Sequence, residues 1–121
     1  MRYLALGLAL ALSGCSSFNL APECQDTTEA LLRILATDGS RAPDLERLRA
    51  LAVIEGIQET SSSYNERICR ANIADEAMQA TVVYRVRQAE GVRQWFDIEI
   101  INATDPSLGE LSLRLRTAYG N

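Results

Sequence analysis

Residues 81–87, Thr-Val-Val-Tyr-Arg-Val-Arg, and residues 95–101, Trp-Phe-Asp-Ile-Glu-Ile-Ile, decide the fold. In the first run Val82, Tyr84 and Val86 alternate with Arg85 and Arg87; in the second Phe96, Ile98 and Ile100 alternate with Asp97 and Glu99. Strict two-residue alternation marks half-buried strands, and two such runs so close together form an antiparallel hairpin. A one-residue slip would turn every side chain to the other face, so apolar residues must face apolar residues across the pair. A turn on Glu90, Gly91 and Val92 meets this condition, pairing Tyr84 with Ile98 and Arg85 with Asp97 and bringing Arg87 beside Trp95. A turn on Ala89, Glu90 and Gly91 also meets it and puts Gly91 where a left-handed residue is wanted, but it sets Arg87 against Arg93, so the first is preferred.

Working outward, Glu66 to Ala74 reads as a strand with Cys69, Ala71 and Ile73 on one face, preceded by a polar turn from Thr60 to Asn65. Upstream, Pro43, Asp44 and Glu46 start a short helix that runs to about Leu51, with a strand from Ala52 to Glu59 after it. The segment from Pro22 to Ala36 reads as a helix: Pro22 suits a first helical position, Glu23, Asp26 and Glu29 favour the positive end of its dipole, and Gly39 can cap its end. Its face of Cys24, Leu31, Ile34 and Leu35, with Thr27 and Thr28 between, turns Cys24 toward the core. Downstream, Asn102 to Ser107 read as a loop, and from Glu110 onward Leu111, Leu113 and Leu115 alternate with Ser112, Arg114 and Arg116 as a further strand. The expected fold is α+β, with one or two N-terminal helices packed on an antiparallel sheet of four to five strands, an arrangement that resembles cystatin-like and nuclear-transport-factor-like folds. That resemblance carries no function.

The start of the chain is of a different kind. Met1 and Arg2 precede an uncharged run from Tyr3 to Leu12, a short positive region followed by an apolar one. The run is too short to cross a hydrocarbon core about 30 Å thick as a helix. Leu12-Ser13-Gly14-Cys15 follows and resembles the lipobox of bacterial lipoproteins. The resemblance implies that residues 1–14 are a signal peptide, that Cys15 receives diacylglycerol and palmitate, and that residues 15–22 are a lipidated tether to a single globular domain at 23–121. Ser16 after the cysteine implies the outer membrane, with the domain facing the periplasm. Two or three acyl chains, at about 0.8 kcal/mol per buried methylene, would make the attachment effectively permanent.

With Cys15 committed to lipid, Cys24 and Cys69 are the two cysteines left, in a compartment where disulfides persist, and they are expected to pair. The helix face and the strand phase both turn them inward. Sixteen acidic residues against eleven arginines, once Arg2 is removed, leave a formal charge of −5, which disfavours nucleic acid. The chain has no His and no Lys, which removes the Ser-His-Asp triad and the Ser-Lys dyad, and paired cysteines leave no thiol nucleophile or transition-metal site. No cofactor is expected. Asp97 and Glu99 share a strand face as paired carboxylates of a glycan hydrolase would, but they stand opposite arginine and read better as a charge ladder. Asn102-Ala103-Thr104 matches a glycosylation acceptor by pattern alone.

What remains is an outward set of arginines, Arg67, Arg70, Arg85, Arg87, Arg114 and Arg116, near Trp95, the composition of interface hot spots. The expected function is a lipid-anchored, non-catalytic binding or accessory module that contacts an envelope protein. An inhibitor or immunity lipoprotein acting against a toxin or lytic enzyme is the alternative, and a carboxylate-dependent glycan hydrolase a third.

Overall fold

In the computed structural model, which describes residues 21–37, 44–88 and 96–120, the inner face of the sheet is set by small and β-branched side chains. Strand β2, Glu66–Ala74, points Cys69, Ala71 and Ile73 inward; β3, Gln79–Gln88, points Ala80, Val82, Tyr84 and Val86 the same way, and all are buried. With β1, Val53–Ser63, and β4, Phe96–Ile100, they form one antiparallel sheet in the order β1-β2-β3-β4. Such an up-and-down sheet has one face free for helices and one left to solvent.

The helices cover the inner face. A single 3-10 turn, Cys24–Thr27, leads into α1, Thr28–Ala36, which buries Leu31, Leu32 and Leu35. The short α2, Leu45–Leu51, starts at Asp44, whose carboxylate accepts the N–H groups of Glu46 and Arg47, and it buries Leu48. The fold is thus α+β with a four-stranded sheet and two N-terminal helices, as the alternation predicts. The third helix is a correction. Residues from Glu110 onward are not a strand but belong to α3, Pro106–Gly120. Leu111, Leu115 and the half-buried Tyr119 fit two periods at once, but the buried Leu108 extends the set only at helical spacing, and Leu113, which alternation would bury, is left 65% exposed. Asp105 accepts the N–H of Ser107 and Pro106 opens the helix, a start signal that outweighs the short alternation.

Two strand details also differ from expectation. The hairpin register sets Tyr84 opposite Ile100, Arg85 opposite Glu99 and Arg87 opposite Asp97, two residues away from the preferred solution although the same faces point inward. Charge decides between registers of equal parity, because this one puts an acid opposite each arginine. Strand β1 also runs on through Ser63 instead of stopping at Glu59. It absorbs one extra residue between Glu55 and Gln58, where Gly56 takes φ +64°, and another between Glu59 and Ser61. Such bulges twist an exposed edge away from unwanted pairing. The expected signal peptide, Cys15, the Gly39 cap, the β3–β4 turn and Trp95 lie outside the described residues.

Cys24 and Cys69 are joined by a disulfide that links the 3-10 turn to the middle of β2 across 45 residues, with the two cysteines 4% and 0% exposed. A bridge of this span contributes about 4 kcal/mol in the chain-entropy account. The Cys24→Ala/Cys69→Ala double variant is expected to lose stability of that order in denaturant unfolding. Reductant should lower the parent toward the variant and leave the variant unchanged; a parent indifferent to reductant would show that no bridge forms.

Candidate functional site

The arginines that sequence groups into one binding face do not share one. Arg85 and Arg87 stand on the uncovered face of the sheet, Arg70 beside them on β2. Arg85 reaches Glu99 across β4 and lies 3.4 Å from Glu66, and Arg87 lies 3.3 Å from the same Glu66 carboxylate. The result is a self-neutralised ladder rather than a cationic patch, and its outer members, Glu99 and Arg87, are more than half exposed, so their pairs contribute little to stability. Arg70 makes no ion pair among the described residues. Asp97 and Glu99 fall within this charge pattern, opposite Arg87 and Arg85.

The other arginines of the set point elsewhere. Arg67 is on the inner side of β2, where its Nε donates to the Ala21 carbonyl at 3.2 Å and its guanidinium pairs with Glu59. Arg116, on α3, donates to the carbonyls of Ile34 and Leu35, and Ser112 donates to Leu35 as well, so α3 supplies the partners that the last carbonyls of α1 lack. Arg114 is also on α3, with its Nε 2.7 Å from Asp75 Oδ2. Asn102 accepts the Val83 N–H and donates to the Thr81 carbonyl, which continues the sheet ladder past β4 and commits the amide that glycosylation would need.

Asp75 is the residue sequence reasoning missed. Its Oδ1 accepts the N–H groups of Ala77 and Met78 at 2.9 and 2.8 Å, closing the β2–β3 turn, while Oδ2 holds Arg114. Burial of the carboxyl, only 9% exposed, favours its neutral form, but the hydrogen bonds from Ala77, Arg114 and Met78 outweigh this and hold it below its ordinary value of 3.8. An Asp just past a strand, whose side chain can accept backbone N–H groups two and three residues on, is a turn signal legible in sequence; the partner on α3 is not.

The Asp75–Arg114 pair borders a cleft of about 860 Å³ between the end of α2, the start of β1, the end of β2 and α3. Leu51, Val53 and Leu113 give it an apolar lining, and Arg49, Glu55 and Glu76 a charged rim of both signs. Val53 and Leu113 are 56% and 65% exposed. An apolar centre ringed by charge is the anatomy of a protein contact. Among the described residues no three His, Cys, Asp or Glu side chains converge as a metal site, and no helix is long and apolar enough to cross a membrane. No family model, curated protein or solved structure matches the chain.

The Asp75 carboxylate gives a signed pH dependence. Because its folded value is depressed, its stabilisation is complete above 3.8 and is lost as pH falls through the lower folded value. Asp75→Asn should therefore melt below the parent at neutral pH, with the gap closing in acid. A gap that is constant from pH 7 to pH 2 would show that the charge is not involved.

Proposed function

We propose that the chain is a lipid-anchored, non-catalytic binding or accessory module of a bacterial envelope, held by Cys15 in the outer membrane with its domain facing the periplasm. The observation that carries this reading is the order of the N-terminal residues: Leu12-Ser13-Gly14-Cys15 stands six residues ahead of Ala21, where the domain begins to pack. A disulfide at the centre of the core suits the same compartment, since cytoplasmic reductants would keep both thiols free. The anchor accounts for location without any apolar helix in the domain. Recognition is then left to the surface, and the cleft around Leu113 and Val53 is the part of it best suited to an envelope protein, because its apolar residues are solvent-exposed and its rim offers both signs of charge.

Two measurements test this reading. Cys15→Ser should abolish acylation, seen in the intact mass, and release the protein from the membrane fraction; a Cys15→Ser form processed and retained like the parent would overturn the anchor. A photocrosslinking residue at Leu113 should give one discrete adduct in intact cells, which Val53→Arg diminishes, while the same probe at Gln58 on the opposite sheet face gives none. Equal adducts at both positions, or none at Leu113, would remove the cleft as the contact surface.

A further inference from the structure

The two ends of the sheet differ, and the chain enters the domain at only one of them. Antiparallel pairing places Ser63, Glu66, Gln88 and Phe96 at one end, and Val53, Ala74 and Gln79 at the other, beside the cleft. Ala21, buried and held through its carbonyl by Arg67, belongs to the first end. We propose that the β1–β2 turn at that end, with Tyr64 at its tip, is the surface that rests on the lipid bilayer, so that the cleft is held on the far side of the domain.

The proposal rests on the lipid-anchor reading of Cys15, and chain length does the rest. Five residues separate Cys15 from Ala21, and the six steps between them reach about 21 Å at most when fully extended at about 3.5 Å per residue. From Arg67 to Ala74 the strand rises about 24 Å at about 3.4 Å per residue. A domain turned with its cleft toward the bilayer would ask for about 24 Å of a tether that reaches about 21 Å at most, whereas the Glu66 end asks for far less, so chain length favours that end facing the lipid. Composition selects the turn from the orientations left. From Thr60 to Asn65 the chain carries no charge, so this stretch meets no Born penalty on approaching hydrocarbon, unlike the ion-paired sheet face beside it. Tyr64, 69% exposed, is the most exposed large apolar side chain among the described residues, and an aromatic ring with a polar tip is the side chain that favours the membrane interface. The turn is also firm: Gln88 N–H donates to the Asn65 carbonyl at 3.0 Å, tying it to the end of β3.

The test uses the full lipidated protein in a Trp95→Phe background, reconstituted into vesicles of phosphatidylethanolamine and phosphatidylglycerol whose acyl chains are brominated near the glycerol. Tyr64→Trp should lose most of its emission to bromine and shift to the blue relative to the detergent-solubilised protein, whereas Leu113→Trp, at the cleft, should keep both intensity and wavelength. Intact mass and vesicle flotation are read on the same samples. A lipidated, floating protein whose Tyr64→Trp reporter is unquenched, or whose Leu113→Trp reporter is quenched as strongly, overturns the orientation and leaves the anchor standing. A protein that carries no lipid and does not float overturns both together.

Discussion

Cys24, Thr27, Cys69 and Tyr84 meet at one buried point, and the rest of the fold is arranged around it. The disulfide holds the 3-10 turn against β2, and the Thr27 hydroxyl donates to the Cys24 carbonyl at 2.7 Å while lying 3.0 Å from the Tyr84 hydroxyl of β3. A phenol enclosed this far needs a polar partner, since an unpaired buried hydroxyl costs more than its hydrogen bond contributes. Burial raises the Tyr84 pKa, and the bond to Thr27 only partly offsets that, so the phenol enters the core neutral, with its hydrogen to donate toward Thr27. A one-turn 3-10 segment has almost no stability of its own. Here it is held covalently to one strand and by hydrogen bonding to the next, and α1 inherits its starting position and its inward face from that attachment.

The second recurring device is the guanidinium used as a clamp. In a chain without lysine, arginine ties helix ends and chain segments together: Arg67 holds Ala21, Arg116 caps the carbonyl end of α1, Arg114 binds Asp75, and Arg47 donates to the Tyr119 carbonyl with its guanidinium 4.9 Å from the Tyr119 ring centroid. Arginine suits this because its planar fork presents several donors at once and stacks on aromatic faces, which an ammonium does not do as well. The cost is that charge committed to carbonyls and carboxylates is no longer free to recruit a ligand. That is why the arginines fail to form one cationic surface.

The inner faces of β2 and β3 were legible in the sequence because their alternation is long and unbroken, and Cys69 and Tyr84 fell on the buried side as expected. Register was less legible: parity permits several even slips, and the choice among them rests on matching Arg85 with Glu99 and Arg87 with Asp97, a contest of small pair energies. The C-terminal helix was misread because leucines at 111, 113 and 115 satisfy alternation over a window too short to exclude a helix. The Asp105-Pro106 start and Leu108 held the correction, outside that window. This error also produced the expectation of a single arginine face, since period two puts residues 114 and 116 together on a sheet, while the helix sends Arg114 to Asp75 and Arg116 to the end of α1. Asp75 was missed for a different reason: its second partner comes from 39 residues away, and no local pattern encodes that meeting.

The position of the staple along β2 also has a functional reach. Cys69 lies nearer the Glu66 end of its strand than the Ala74 end, and with Arg67 it fixes the start of the domain beside the β1–β2 turn. A bridge made four residues later, at Ile73, would bring the same N-terminal segment next to the Asp75 turn and the cleft. The core chemistry would hardly change, because both positions are fully buried. The end of the sheet at which the chain enters the domain would change. A residue pair whose energetic role is to restrict the unfolded chain therefore also sets which end of the sheet lies nearest the start of the domain, and stability and the placement of the N-terminal segment are properties of the same bond.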